Sequence, residues 1–118
     1  MFASIVVTDK NELLALHRAL FEAQFAVTPH DPYVPGSPIL AALCNRVVDA
    51  LTLLDPRWAD WRSADQHADR VAIAEQHLLA NPRWNQMSRE QRIAKALNQL
   101  APLVPSDSLI SRLVGDPV

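Results

Sequence analysis

The residues that could carry metal chemistry are few: the 118-residue chain has four histidines and one cysteine. On a continuous helix, His67 and His77 would point about 80° apart, so they cannot form the one-face pair of a two-histidine metal motif. A metal site would have to assemble from different helices, for example from His17 and His67 with a carboxylate, and no spacing supports that. We therefore expect no metal and no cofactor.

Nucleophilic chemistry is not indicated either. Cys44 lies in an apolar stretch, where a small buried hydrophobe is the favoured role and a reactive thiol is the alternative. The sequence has no G-x-S-x-G turn, no glycine-rich phosphate loop and no Cys-x-x-Cys pair. We assign no catalytic residue, which favours a protein that is not an enzyme.

Four polar residues interrupt the same apolar stretch and fall on one strip of a helix: Asn45, Arg46, Asp49 and Thr52. Arg46 and Asp49 have the spacing of a helical ion pair. If their strip faces water or another subunit, it is a solvated seam, which is the favoured interpretation. If it lines a pocket, Arg46 is suited to a carboxylate or a phosphate. The candidate ligand- or partner-binding residues are Tyr33, Asn45, Arg46, Asp49, Trp58 and Trp61.

The stretch that must position these residues is 38–54, PILAALCNRVVDALTLL. Its apolar residues cover most of a helix circumference, which is typical of a helix enclosed on most sides. Ser37 can cap its start, and Asp55, which precedes a proline, can end it. We therefore place this helix at the centre of a bundle, with Leu43 and Leu51 in the core.

Apolar periodicity predicts further helices on either side of the central one. With 49% apolar residues, 20% charged residues and two glycines, the sequence predicts an all-α fold. We expect a single domain over 1–118, a small helical bundle of four main helices plus short capping helices. The other predicted main helices span 9–26, 64–80 and 89–101, and a short last helix runs from a Ser106 cap to Leu113.

The two ends of the chain are predicted to be less regular. Residues 1–8 form an extended strap, and the β-branched segment 2–7 could alternatively pair with the same segment of another copy. Residues 115–118 are expected to fray. The start lacks the cationic region of a signal peptide, and no stretch reaches the roughly 20 apolar residues that span a membrane, so we expect a cytoplasmic protein.

Two connecting segments allow a functional and a structural interpretation. In 28–38, Pro29, Pro32 and Pro35 recur every third residue. This spacing predicts a polyproline II connector with Tyr33 packed on the bundle, the favoured interpretation, or a docking ligand for a partner's groove.

Residues 55–58 (DPRW) and 81–84 (NPRW) echo each other. Each has an Asx cap followed by proline, and each is followed by a Ser-x-x-Gln box. Convergent helix-start chemistry is favoured over duplication, and each tryptophan is expected to fill a corner between helices.

Net charge and composition favour some classes of function over others. The net charge of −2 gives no basic face for nucleic acid, although Arg89, Arg92 and Lys95 could line a helix-turn-helix-like pair. The leading hypothesis is a non-enzymatic protein–protein interaction, adaptor or regulatory protein, with a homodimer as one form. A small-ligand or enzymatic module near Arg46 and Asp49 is the alternative, and nucleic-acid binding is the second alternative.

Overall fold

The computed structural model describes residues 3–116, and this part of the chain is all-α. It contains six α-helices and two 3-10 turns, Ala64–Gln66 and Trp84–Gln86. No helix in these residues is long and apolar enough to cross a bilayer. The helices are α1 (Lys10–Gln24), α2 (Pro38–Leu54), α3 (Arg57–Trp61), α4 (Ala68–Ala80), α5 (Arg89–Leu100) and α6 (Asp107–Val114).

The predicted bounds of α2 are confirmed, but its predicted enclosure is wrong. The Ser37 hydroxyl accepts from the Leu40 N–H, and Asp55 is extended. Helices α1, α3 and α5 pack against α2 and leave one face open. Leu51 is 1% exposed, whereas Leu43, predicted to lie in the core, is 40% exposed. The fully buried residues of α2 are Ala41, Cys44, Val47, Val48 and Leu51.

Local capping chemistry sets the other helix ends. The Asp9 carboxylate accepts from the backbone N–H groups of Asn11 and Glu12 at the start of α1. Ser88 forms a complete capping box with Gln91. Ser106 caps α6, and Gly115 ends it with a left-handed φ of 79°. Because each cap satisfies helix-end groups within a few residues, sequence could locate these ends.

The predicted helix 64–80 is broken at His67. The Ala64 N–H donates to the Val104 carbonyl at 2.9 Å, and the Val104 N–H donates to the Arg62 carbonyl at 2.7 Å. This bridge to a distant segment draws residues 62–64 away from helical pairing, so α4 begins only at Ala68. His67 and His77 therefore do not share one helix, and their predicted 80° separation does not apply.

The proline-rich segment forms turns rather than the predicted polyproline II connector. The Asp31 carboxylate accepts from the Tyr33 N–H at 2.9 Å, and the Asp31 carbonyl accepts from the Val34 N–H at 3.2 Å. Tyr33 is 86% exposed and is not packed on the bundle as predicted. Gly36 has a left-handed φ of 77°, and a Cβ there would overlap the Gln99 side chain.

The two echo segments begin alike and then diverge. Asp55 Oδ1 accepts from the Arg57 N–H at 3.1 Å, and Asn81 Oδ1 accepts from the Arg83 N–H at 3.0 Å. The first leads into α3 and the second into a 3-10 turn. Trp84 is buried, whereas Trp58 is half-buried. The shared feature is therefore the Asx turn that starts each segment.

The ends of the described chain differ from each other. Residues 3–9 have no regular secondary structure, and Ile5 and Val6 are exposed, while Val7 packs against the cluster around Leu13. At the other end, Asp116 forms an ion pair with Arg89 at 2.7 Å. Met1 and Phe2 of the predicted strap 1–8, and the last two residues of the predicted frayed tail, lie outside the described residues.

Candidate functional site

The structure separates the six candidate residues. Trp58 and Trp61 join His17 in an aromatic cluster, and Asn45 and Asp49 join Arg62. The remaining two, Arg46 and Tyr33, are exposed. The candidates therefore do not form one pocket.

The aromatic cluster fills the contact between α1 and α3. The His17 ring centroid lies 5.1 Å from that of Trp58 and 5.0 Å from that of Trp61, edge-on in both cases. Phe21 extends the cluster, 5.4 Å from His17. On the other side of Trp61, His67 Nε2 donates to the Trp61 carbonyl at 2.7 Å. These edge-on contacts are typical of aromatic packing and hold α3 against α1.

Burial, and then the neighbouring Arg18, lowers the pKa of His17. Both effects disfavour the imidazolium, so the buried ring is neutral at neutral pH. His17 and His67 both touch Trp61, but residues 3–116 hold no group of three or more His, Cys, Asp or Glu side chains suited to a metal ion.

Cys44 has the environment of a core residue. It is a free cysteine and is buried. Burial raises the pKa of its thiol to about 11. Because the thiolate is the nucleophilic form, this position does not favour a reactive cysteine.

Arg62, which sequence reasoning missed, organises the polar strip of α2. Its guanidinium donates to Asp49 Oδ1 at 2.6 Å and to Asn45 Oδ1 at 2.8 Å, and its Nε donates to the Pro102 carbonyl at 2.9 Å. The expected Arg46–Asp49 pair is absent from the ion pairs of residues 3–116, where Asp49 instead binds Arg62. Asn45 and Asp49 thus join α2 to the segment after α5.

Sequence carried no signal for Arg62. Spacing rules identify pairs three or four positions apart on one helix, whereas Arg62 is 13 residues from Asp49 on another element. Two of its three bonds occupy the Asn45 amide oxygen and one Asp49 oxygen. These bonds give Asn45 a structural role, which argues against the alternative interpretation of the strip as an anion pocket.

Two of the three cations considered for nucleic-acid binding have partners within the fold. Arg89 binds the Asp116 carboxylate. Arg92 donates to the carbonyls of Trp84 and Val114 and stacks 5.2 Å from the Trp84 ring centroid. Because both guanidinium groups form hydrogen bonds that join α5 to neighbouring segments, they are less available to bind phosphate, which weakens the case for a nucleic-acid-binding face.

The open face of α2 carries a regular, mostly apolar stripe. We define the α2 stripe as the apolar residues Ile39, Leu43, Ala50 and Leu53 together with the exposed Arg46; Ala50 is half-buried, because it also packs against the cluster around Leu13. Its positions are spaced 4, 3, 4 and 3 residues apart, the spacing of a coiled-coil seam. Ile39 is 76% exposed and Leu53 is 88% exposed, and Leu54 beside them is exposed as well.

The buried face of α2 lies on the opposite side. It comprises Ala41, Cys44, Val48 and Leu51, spaced 3, 4 and 3 residues apart, with the buried Val47 at its edge. The signal for two apolar faces was present in the sequence, because α2 has more apolar positions than one face can hold.

Models of protein families, curated proteins and solved structures were each compared with the chain, and none of the three comparisons gave a match.

Proposed function

We propose that the chain is a non-enzymatic protein–protein interaction protein, with an adaptor or regulatory role, that binds its partner through the α2 stripe. The observation that supports this most is the exposure of Ile39, Leu43 and Leu53 on one face at heptad spacing. Large apolar side chains that are exposed together on one face mark interaction sites more often than exposed residues scattered singly do.

The energetic reason is the apolar area that a partner would remove from water. Burial stabilises by about 25 cal/mol per Å², so a fully buried leucine contributes about 1.5–3 kcal/mol. Arg46 lies within the stripe and Asp49 borders it, which adds the charged groups that give an apolar patch its specificity. A helix with the same seam spacing is the partner that fits this face.

The alternative of a ligand or enzyme site near Arg46 and Asp49 has less support. Asn45 and Asp49 are already bound by Arg62, and the buried His17 and Cys44 are held in forms that disfavour charge or nucleophilicity. A cytoplasmic location stays part of the proposal.

A photo-crosslinking amino acid at position 53 tests the proposal in the native host. Leu53 is so exposed that its replacement leaves the core intact. Leu79 on α4 is the matched control, because it is also an exposed helical leucine, at 64%, but lies outside the stripe. We expect a discrete protein adduct from position 53 and none from position 79. Equal adducts from both positions, or none from position 53, would contradict the proposal.

A further inference from the structure

We propose that the α2 stripe binds the α2 stripe of a second copy, with the two helices antiparallel around a two-fold axis level with Val48. This inference rests on the proposed function, because it names the partner of the same face. It draws on four residues of the stripe, Leu43, Arg46, Ala50 and Leu53, whose order pairs large with small side chains when a second copy runs in the opposite direction.

The register follows from the seam. When Leu43 lies opposite Leu53 of the partner subunit, Arg46 lies opposite the partner's Ala50, and the two-fold axis repeats both layers. The most exposed leucine of the stripe thereby meets an aliphatic partner. The long arginine meets the smallest side chain of the stripe, which leaves room for it. Large-against-small pairing of this kind lets facing seams interdigitate.

Charge favours the same arrangement. Asp49 adjoins Ala50, so Arg46 in one protomer reaches the partner's Asp49. The Asp49 side chain is 65% exposed, and Arg62 contacts it through Oδ1 alone, so Oδ2 remains for a second cation. Because of the two-fold axis, the ion pair between Arg46 and the partner's Asp49 forms twice in the dimer.

In an alternative antiparallel register, or against a different partner, fewer charged side chains of this face find a partner of opposite charge. A register centred on Arg46 would place two arginines face to face, which is unfavourable. Arg46 also has no ion-pair partner among residues 3–116. A second copy supplies the missing carboxylate from Asp49, which borders its stripe, whereas an unrelated helix would need to bring its own.

Because the seam is short, we expect it to bury less surface than the roughly 800 Å² per partner of a standard interface. We therefore expect a reversible dimer with a dissociation constant between about 1 µM and about 1 mM. Sedimentation velocity of the purified chain from about 10 µM to about 2 mM covers most of this range. The weight-average mass should rise with concentration toward twice the chain mass.

Leu53→Glu is the decisive variant, since it places a carboxylate in an apolar layer of the seam. Leu79→Glu is the matched control on α4. We expect Leu53→Glu to remain monomeric over the whole range and Leu79→Glu to associate like the wild type. At a concentration low enough for the wild type to be monomeric, both variants should keep its circular dichroism spectrum and thermal midpoint. A wild type that stays monomeric at about 2 mM, or a Leu53→Glu variant that dimerises normally, would overturn the inference.

Disulfide trapping tests the register. Leu43→Cys and Leu53→Cys are made separately, each with Cys44→Ala, and are mixed under air with copper phenanthroline as oxidant. The proposed register predicts a covalent dimer from the mixture and none from either variant alone. Efficient crosslinking of either variant with itself would instead indicate a parallel or shifted pair and would overturn the register.

The two proposals can fail separately. If the wild type is monomeric while position 53 crosslinks to a different protein in the native host, the interaction function stands and self-association is wrong. If the crosslinked adduct has twice the chain mass, both proposals are supported. If position 53 gives no adduct and the chain stays monomeric, both are wrong.

Discussion

The two faces of α2 have similar composition and opposite environments. Leu51 on the buried face is 1% exposed, and Leu53, two residues later, is 88% exposed. Both are leucines in the same turn of the same helix, so neither side-chain chemistry nor helix propensity distinguishes them. The difference shows that apolar character identifies residues able to join a core, while neighbouring elements decide which of them do.

The buried and exposed faces should respond very differently to truncation. Leu51→Ala removes a buried side chain from the cluster with Leu13 and Val47, and we expect it to lower the free energy of unfolding by about 2–5 kcal/mol. Leu53→Ala should change it by less than about 0.5 kcal/mol in the monomer, because little burial is lost. Urea denaturation at low protein concentration measures both. Similar losses for the two variants would contradict the assignment of the faces.

We expect a favourable coupling energy between Arg62 and Asp49 of α2, and none between Arg46 and Asp49 in the monomer. Arg62→Ala leaves the Pro102 carbonyl and Asn45 without a donor, and we expect a loss of about 1–3 kcal/mol in unfolding free energy. A double-mutant cycle with Asp49→Ala should give a coupling energy of about 0.5–1 kcal/mol. The matched Arg46–Asp49 cycle in the monomer should give a coupling near zero. A larger coupling for Arg46 would restore the pairing expected from sequence.

The smallest effect is expected from the pH dependence of the contact between α1 and α3. The pKa of His17 is lowered in the folded state, mainly by burial. In the unfolded chain this histidine has its ordinary pKa of about 6.5, so as the pH falls below that value the unfolded state binds the proton more readily than the folded state does. This contribution to stability is fully present above about pH 6.5 and is lost as the pH falls toward the folded pKa.

Thermal melts between pH 7 and pH 5 test this sign. His17→Phe, which keeps an aromatic ring, should reduce the loss of stability on acidification. His30→Gln is the control, because His30 is exposed and lies outside the aromatic cluster. A wild type that gains stability on acidification through this range, with the gain abolished by His17→Phe, would show that the ring is instead favoured as the cation.

Sequence by itself determined the class of the fold and most helix ends. The all-α prediction is confirmed, and the bounds of α2 agree with the structure. Capping explains this success: Ser37, Ser88 and Ser106 each accept from an N–H three residues later. Such bonds depend on neighbours in the chain, so their residues can be identified without knowing the rest of the fold.

Tertiary structure alone decided which side of α2 is covered, which residue binds Asp49, and where the helix before α4 is interrupted. Arg62 reaches Asp49 across 13 residues, and Val104 bonds to Ala64 across a longer separation. Helical periodicity shows which residues share a face, but it carries no information about the element that packs there. Because these contacts join residues far apart in the chain, they depend on how the whole chain folds.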